Sequence, residues 1–139
     1  VLAEGLIKLG IIQQSLDEAL NVETGELRKW YMHNTSHWIG LDVHDVGIYK
    51  PNGTPRLLEE GMCLTVEPGL YFIPHLIDQW KADKKNNDFI NYDKLDSYRD
   101  FGGIRIEDNI IITNEGYRIL GPPIPKTIDE IEALMEDNA

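Results

Sequence analysis

The chain has few cysteines and few basic residues, and each shortage excludes a class of protein. Cys63 is the only cysteine among 139 residues, so no intrachain disulfide can form and we expect a reducing, cytoplasmic setting. Lys and Arg number 13 against 24 Asp and Glu, which gives a net charge of −11. Nucleic acids and anionic membranes bind clustered positive charge, so neither is expected as a partner.

Long hydrophobic stretches are also missing. No apolar run approaches the ~20 residues of a membrane-spanning helix, and no basic-then-apolar leader opens the chain. The hydrophobic fraction, 42%, is high enough for folding and exceeds that of disordered chains. The length suits one domain or part of one. Because the sequence begins at Val1 rather than Met, we expect a piece of a longer protein.

Apolar spacing predicts helices at both ends of the chain and strands between them. The apolar positions near the start recur on one helical face, and two capping-box patterns predict a second helix and a closing helix. Residues 62–67 and 104–112 are rich in strand-forming side chains, and residues 78–100 predict a polar surface excursion with one short helix. Helices flanking a mainly antiparallel sheet give an α+β class. The positions that carry these predictions are Leu2, Leu6, Leu9, Ser15 with Glu18, and Thr127 with Glu130.

Three of the four histidines, His33, His37 and His44, lie within twelve residues. The first two are four positions apart, but turn-forming residues separate them and the glutamate of a zincin motif is missing, so a zincin is excluded. Such clustering, beside Asp42 and Asp45, leaves a functional site and packing histidines without a function equally open. Cys63, in contrast, lies in an apolar run, which favours a buried and inert thiol.

Two glutamates end strands that are otherwise apolar. Strand alternation places Thr65 and Glu67 on one face, and it places Arg105 and Glu107 opposite two core isoleucines, Ile104 and Ile106. Buried carboxylates need a cation or donors, so a plain Arg-Glu pair and a metal site are both open. Carboxylates with one imidazole suit Mn²⁺ or a similar divalent ion, and two such ions could bind.

The motifs resemble the C-terminal half of the metallopeptidase domain of the Xaa-Pro aminopeptidase and prolidase family, which has the pita-bread fold. They are H-x3-H-W-I-G-L-D-V-H-D-V-G from His33, G-M-C-L-T-V-E-P-G-L-Y from Gly61 and G-I-R-I-E-D from Gly103. The resemblance implies a curved, mainly antiparallel sheet with flanking helices. It also implies metal ligands at His37, Glu67 and Glu107, catalytic roles for His44 and Glu67, and substrate-binding roles for His33, Tyr71 and Arg105.

The implied reaction is hydrolysis of the Xaa-Pro bond at peptide N-termini by a hydroxide bound to two divalent ions. Mn²⁺ is the expected metal, with Co²⁺ or Zn²⁺ as alternatives. The family's other two ligands are aspartates on an earlier strand hairpin, and the residues before His37 contain only Asp17. Residues 1–139 are therefore expected to be a partial catalytic domain, inactive alone, whose partners are the N-terminal half of the same enzyme and an Xaa-Pro peptide. A homo-oligomer is a further expectation for the full-length protein.

Within the family, two activities are open. Ser36-His37-Trp38 resembles the aminopeptidases, whereas the segment from Tyr71 to Gly103 resembles the dipeptidases. Dipeptidases tend to carry an insertion with an arginine that pairs with the dipeptide carboxylate, and residues 48–60 are short, with only Lys50 and Arg56. We favour the aminopeptidase, with the Xaa-Pro dipeptidase as the alternative and a non-catalytic binding module less favoured.

Overall fold

The computed structural model describes residues 1–21, 23 and 27–136, which divide between two compact units. Unit 1 contains Val1–Thr35 and Pro68–Arg105, and unit 2 contains Ser36–Glu67 and the chain from Ile106 onward. The helices are α1 (Leu2–Lys8), α2 (Leu16–Ala19), α3 (Leu27–Trp30), α4 (Pro74–Ala82), α5 (Tyr92–Asp96) and α6 (Ile128–Glu136). The strands are β1 (Cys63–Val66), β2 (Gly69–Tyr71), β3 (Gly103–Arg105), β4 (Asp108–Thr113) and β5 (Gly116–Ile119).

Unit 1 packs α1 to α5 and the antiparallel β2–β3 pair around one hydrophobic core. The predicted opening helix is α1, and the predicted capping box is present at α2: the Ser15 hydroxyl accepts from the Glu18 amide, and the Glu18 carboxylate accepts from the Ser15 amide. Trp30 is buried at the centre, with its ring against Phe72 and Trp80. These aromatic rings pack within a core whose other buried members are aliphatic.

The predicted surface excursion at residues 78–100 is wrong in one respect. The segment forms two helices rather than one, because α4 extends into it and α5 follows. Ile77, Ile90 and Leu95 are fully buried in the core of unit 1. Ile90 and Leu95, two apolar residues among many polar ones, therefore face inward.

Unit 2 is built on a three-stranded antiparallel sheet in the order β1-β4-β5. Leu64 lies opposite Ile110, and a turn at residues 114–115 closes the β4–β5 hairpin. A bridge between Trp38 and Leu64 adds residues 37–39 to the outer edge of β1, with hydrogen bonds from the Ile39 amide to Cys63 and from the Thr65 amide to His37. This bridge brings His37 against β1.

Ile104 and Ile106 were predicted to lie in the core, and both are exposed, by 52% and 44%. The sequence pattern allows a strand pair or one long strand with an irregularity near Asp108, and the structure forms two strands: β3 ends at Arg105 and β4 begins at Asp108 in another sheet. Ile104 lies on the edge of a two-stranded pair, and Ile106 lies in the segment between β3 and β4, so neither has a strand neighbour on both sides. Cys63 is half-buried rather than buried, because it is the first residue of β1.

The predicted closing helix is α6, and its capping box between Thr127 and Glu130 is formed. Its apolar positions are exposed, in contrast to those of α1. None of the helices in the described ranges is long and apolar enough to cross a membrane. Helices combined with antiparallel sheets confirm the predicted α+β class.

Candidate metal centre

Sheet pairing in unit 2 explains how three residues far apart in sequence come together. Glu67 follows the last residue of β1, and Glu107 precedes the first residue of β4. Because β1 and β4 are antiparallel with Val66 opposite Asp108, the two glutamates lie at the same end of the pair. The bridge on the other edge of β1 places His37 beside them. One ligand atom from each of the three residues lies within 4.8 Å of the other two.

The His37 ring is held in one orientation by the backbone. Its Nδ1 lies 3.0 Å from the Trp38 carbonyl oxygen. A carbonyl can only accept, so Nδ1 carries the proton and a neutral ring has its lone pair on Nε2. That Nε2 lies 3.4 Å from Oε1 of Glu67, which is buried. Two acceptors that face each other at this distance need a proton or a metal cation between them.

The donor set fits a divalent cation. Two carboxylates within 4.8 Å of each other repel when both are ionised, and a cation offsets that repulsion. A histidine whose second ring nitrogen donates to a backbone carbonyl is the usual arrangement of a metal-binding imidazole. Oxygen ligands with one imidazole suit Mn²⁺ and Zn²⁺ alike. A protonated His37 paired with Glu67 is the alternative that uses the same geometry without a metal.

His44 lies beside this cluster, on an exposed loop. The centroid of its ring is 4.3 Å from that of His37. The loop is tied back where the Asp45 amide donates to the Trp38 carbonyl at 3.1 Å. A Cβ on Gly40 would lie 1.7 Å from Oδ2 of Asp45, so a larger residue at this position would displace the Asp45 side chain. The loop therefore presents an imidazole to the space next to the three donor residues.

The remaining predicted site residues form a hydrogen-bonded chain in unit 1. Nε of Arg105 donates to the Tyr71 hydroxyl at 2.8 Å, and that hydroxyl lies 3.0 Å from Nε2 of His33. Nδ1 of His33 is 2.8 Å from the Asn34 carbonyl oxygen, so it carries the proton and Nε2 accepts from Tyr71. Each hydrogen bond of the series is donated in the same direction, from Arg105 to Tyr71, from Tyr71 to His33 and from His33 to Asn34. Whether these three residues bind substrate stays a prediction.

The sequence did not indicate the role of two groups that form hydrogen bonds with the candidate metal ligands. The first is the Trp38 carbonyl, and a backbone atom leaves no signal in the sequence. The second is the Thr65 hydroxyl, which contacts both the His37 amide and the Glu67 carboxylate. Strand alternation placed Thr65 on the face of Glu67, which is the signal that could have indicated its role.

The chain is similar to known proteins over most of its length. The model of metallopeptidase family M24 matches residues 3–114. An Xaa-Pro dipeptidase from Rattus norvegicus is 42% identical over 145 residues, and an Xaa-Pro aminopeptidase from Escherichia coli (strain K12) is 42% identical over 135 residues. These matches cover 95% and 97% of this chain but 29% and 26% of the relatives. The chain thus spans under a third of the length of these curated relatives.

Among solved structures, zinc-substituted aminopeptidase P from E. coli in complex with product superposes with a TM-score of 0.71 and 41% identity. The match covers 99% of this chain and 27% of that one. The predicted fold is confirmed, since this likeness assigns the chain to the pita-bread fold of aminopeptidase P. With the family match extending over most of its length, the chain belongs to metallopeptidase family M24.

Proposed function

We propose that the full-length protein containing this chain is a proline-specific metallo-exopeptidase, an Xaa-Pro aminopeptidase that hydrolyses the Xaa-Pro bond at peptide N-termini. One observation carries the proposal: His37, Glu67 and Glu107 present donor atoms within 4.8 Å of one another, with His37 oriented through its Nδ1. The relatives named above, both Xaa-Pro peptidases, support the substrate class.

These three residues would hold part of a site for two divalent ions, for which we propose Mn²⁺, with Co²⁺ or Zn²⁺ as alternatives. Bound divalent cations lower the pKa of water and polarise the peptide carbonyl. Glu67 would accept the proton that the attacking water loses. His44, whose exposed ring lies next to His37, would donate a hydrogen bond to the oxyanion that develops on the scissile carbonyl.

Residues 1–139 would form the C-terminal half of the catalytic domain, and an N-terminal half would supply two further aspartate ligands. Unit 2 supports this through its exposed apolar side chains, for example Ile128 and Met135 of α6, which are 73% and 68% exposed. Apolar surface of this extent is typical of a face that another element covers. The proposed setting is the cytoplasm, and the intact enzyme could be a homo-oligomer.

Aminopeptidase activity is favoured over dipeptidase activity by the surroundings of Arg56. A dipeptidase needs a cation positioned on the free carboxylate of the substrate, best supplied by an arginine that donates two parallel hydrogen bonds. The Arg56 guanidinium instead lies 3.3 Å from the carboxylate of Glu59, three residues away. Lys50 is exposed and flexible. An enzyme without such a clamp accepts longer peptides.

One observation favours the alternative. The segment from Tyr71 to Gly103 resembles the dipeptidases. The test compares kcat/KM of the full-length enzyme for Ala-Pro and Ala-Pro-Ala. We expect the tripeptide to be cleaved at least as well as the dipeptide. A strong preference for the dipeptide would assign the enzyme to the dipeptidases, and cleavage of neither peptide by metal-loaded enzyme would refute the proposed function.

A further inference from the structure

Thr65 lies between two of the proposed metal ligands and contacts both. Its side chain is 2% exposed, on the face of β1 that continues into Glu67. Its hydroxyl oxygen is 3.0 Å from the His37 backbone nitrogen and 3.0 Å from Oε1 of Glu67. A second link runs through the backbone, where the Thr65 amide donates to the His37 carbonyl at 3.0 Å. A single side chain therefore joins the two ligand residues.

The direction of these hydrogen bonds is fixed by chemistry. The His37 amide can only donate, so the Thr65 hydroxyl accepts there. The single hydroxyl proton is then available to the Glu67 carboxylate, which accepts it at Oε1. That same oxygen faces Nε2 of His37 at 3.4 Å. The bond from Thr65 thus fixes the carboxylate oxygen that lies across from the imidazole.

We infer that Thr65 is a positioning residue of the metal centre: its hydroxyl couples the backbone of one ligand, His37, to the carboxylate of another, Glu67. This inference rests on the proposed metal site. A ligand set whose spacing is fixed before the ion arrives binds it more tightly, because less conformational freedom is lost on binding. Side chains that orient metal ligands in this way are typically worth 10- to 100-fold in metal affinity.

Three substitutions separate the hydroxyl from the shape of the side chain. Thr65→Val keeps the volume and the β-branch and removes the hydroxyl. Thr65→Ser keeps the hydroxyl and loses the methyl group, whereas Thr65→Ala loses both, so the Ser and Ala variants differ only in the hydroxyl. Thr113→Val is the matched control, since Thr113 is a half-buried threonine of β4 in the same sheet.

The measurement is the affinity of the full-length enzyme for Mn²⁺ alone, followed by the EPR signal of free Mn²⁺. Thr65→Val and Thr65→Ala should bind Mn²⁺ about 10- to 100-fold more weakly than wild type, and Thr65→Ser and Thr113→Val within about 3-fold of it. Should Thr65→Val fail to fold, the Ser and Ala pair decides. Circular dichroism spectra identify variants that have lost their structure.

His37→Ala separates the failure of this inference from the failure of the proposed function. If His37→Ala retains wild-type Mn²⁺ affinity, the metal site itself is wrong, and the role of Thr65 falls with it. If His37→Ala loses affinity while the Val and Ala variants of Thr65 keep it, only the positioning role is overturned. Equal losses in Thr65→Ser and Thr65→Ala would also overturn it, because the hydroxyl would then make no difference.

Discussion

Replacing Leu95 by alanine tests whether the polar segment at residues 78–100 contributes to the core of unit 1. Its side chain is 0% exposed and belongs to the same core cluster as Trp30 and Phe72. Leu95→Ala removes three buried carbon groups, each worth about 0.8 kcal/mol in transfer free energy. A cavity term adds to this loss, since the surroundings relax only in part. We expect the free energy of unfolding to fall by about 3 to 4 kcal/mol.

Urea unfolding of the intact protein, followed by tryptophan emission, measures this change. Trp30 and Trp80 are suitable reporters, because their rings meet edge to face with centroids 5.5 Å apart and pack in the same core as Leu95. The matched control is Leu20→Ala, which makes the same deletion at a position that is 52% exposed, and it should cost well under 1 kcal/mol. If the free energy of unfolding fell equally in the two variants, the burial of Leu95 would be refuted. The result would then support the surface excursion that the sequence predicts.

Two further predictions concern unit 2. In the full-length enzyme, His44→Ala should lower kcat by about 10²- to 10³-fold while metal content, measured by atomic absorption, stays at the wild-type level; loss of the metal would instead make His44 a ligand. Thr127→Ala should destabilise α6 by about 1 kcal/mol at neutral pH, measured by thermal unfolding. Hydrogen bonds from the Thr127 and Lys126 amides lower the pKa of Glu130, so the carboxylate half of the capping box stabilises the fold above the unfolded-state pKa of this carboxyl, and that contribution is lost as pH falls through the folded-state pKa. The cost of Thr127→Ala should therefore shrink in acid, and an unchanged cost at low pH would contradict this account.

Features that depend on neighbours in sequence could be predicted without a structure. The capping boxes at Ser15 and Thr127 are formed as predicted, because each joins residues three positions apart. The strand at residues 62–67 followed from local propensity in the same way. The candidate ligands His37, Glu67 and Glu107 were identified from motifs, and the metal that they bind stays a prediction.

Tertiary structure alone decided which side chains are buried and which donor atoms meet. Ile104 and Ile106 satisfy the strand pattern yet remain exposed, because β3 and β4 belong to different sheets and alternation says only which residues share a face. Leu95 is buried although polar residues surround it in sequence. His37 and Glu107 are 70 positions apart, and only the antiparallel pairing of β1 with β4, together with the bridge at Trp38, brings their donor atoms within 4.8 Å. Local patterns thus determined the elements, whereas contacts across long sequence separations assembled the site, because they depend on how the elements pack.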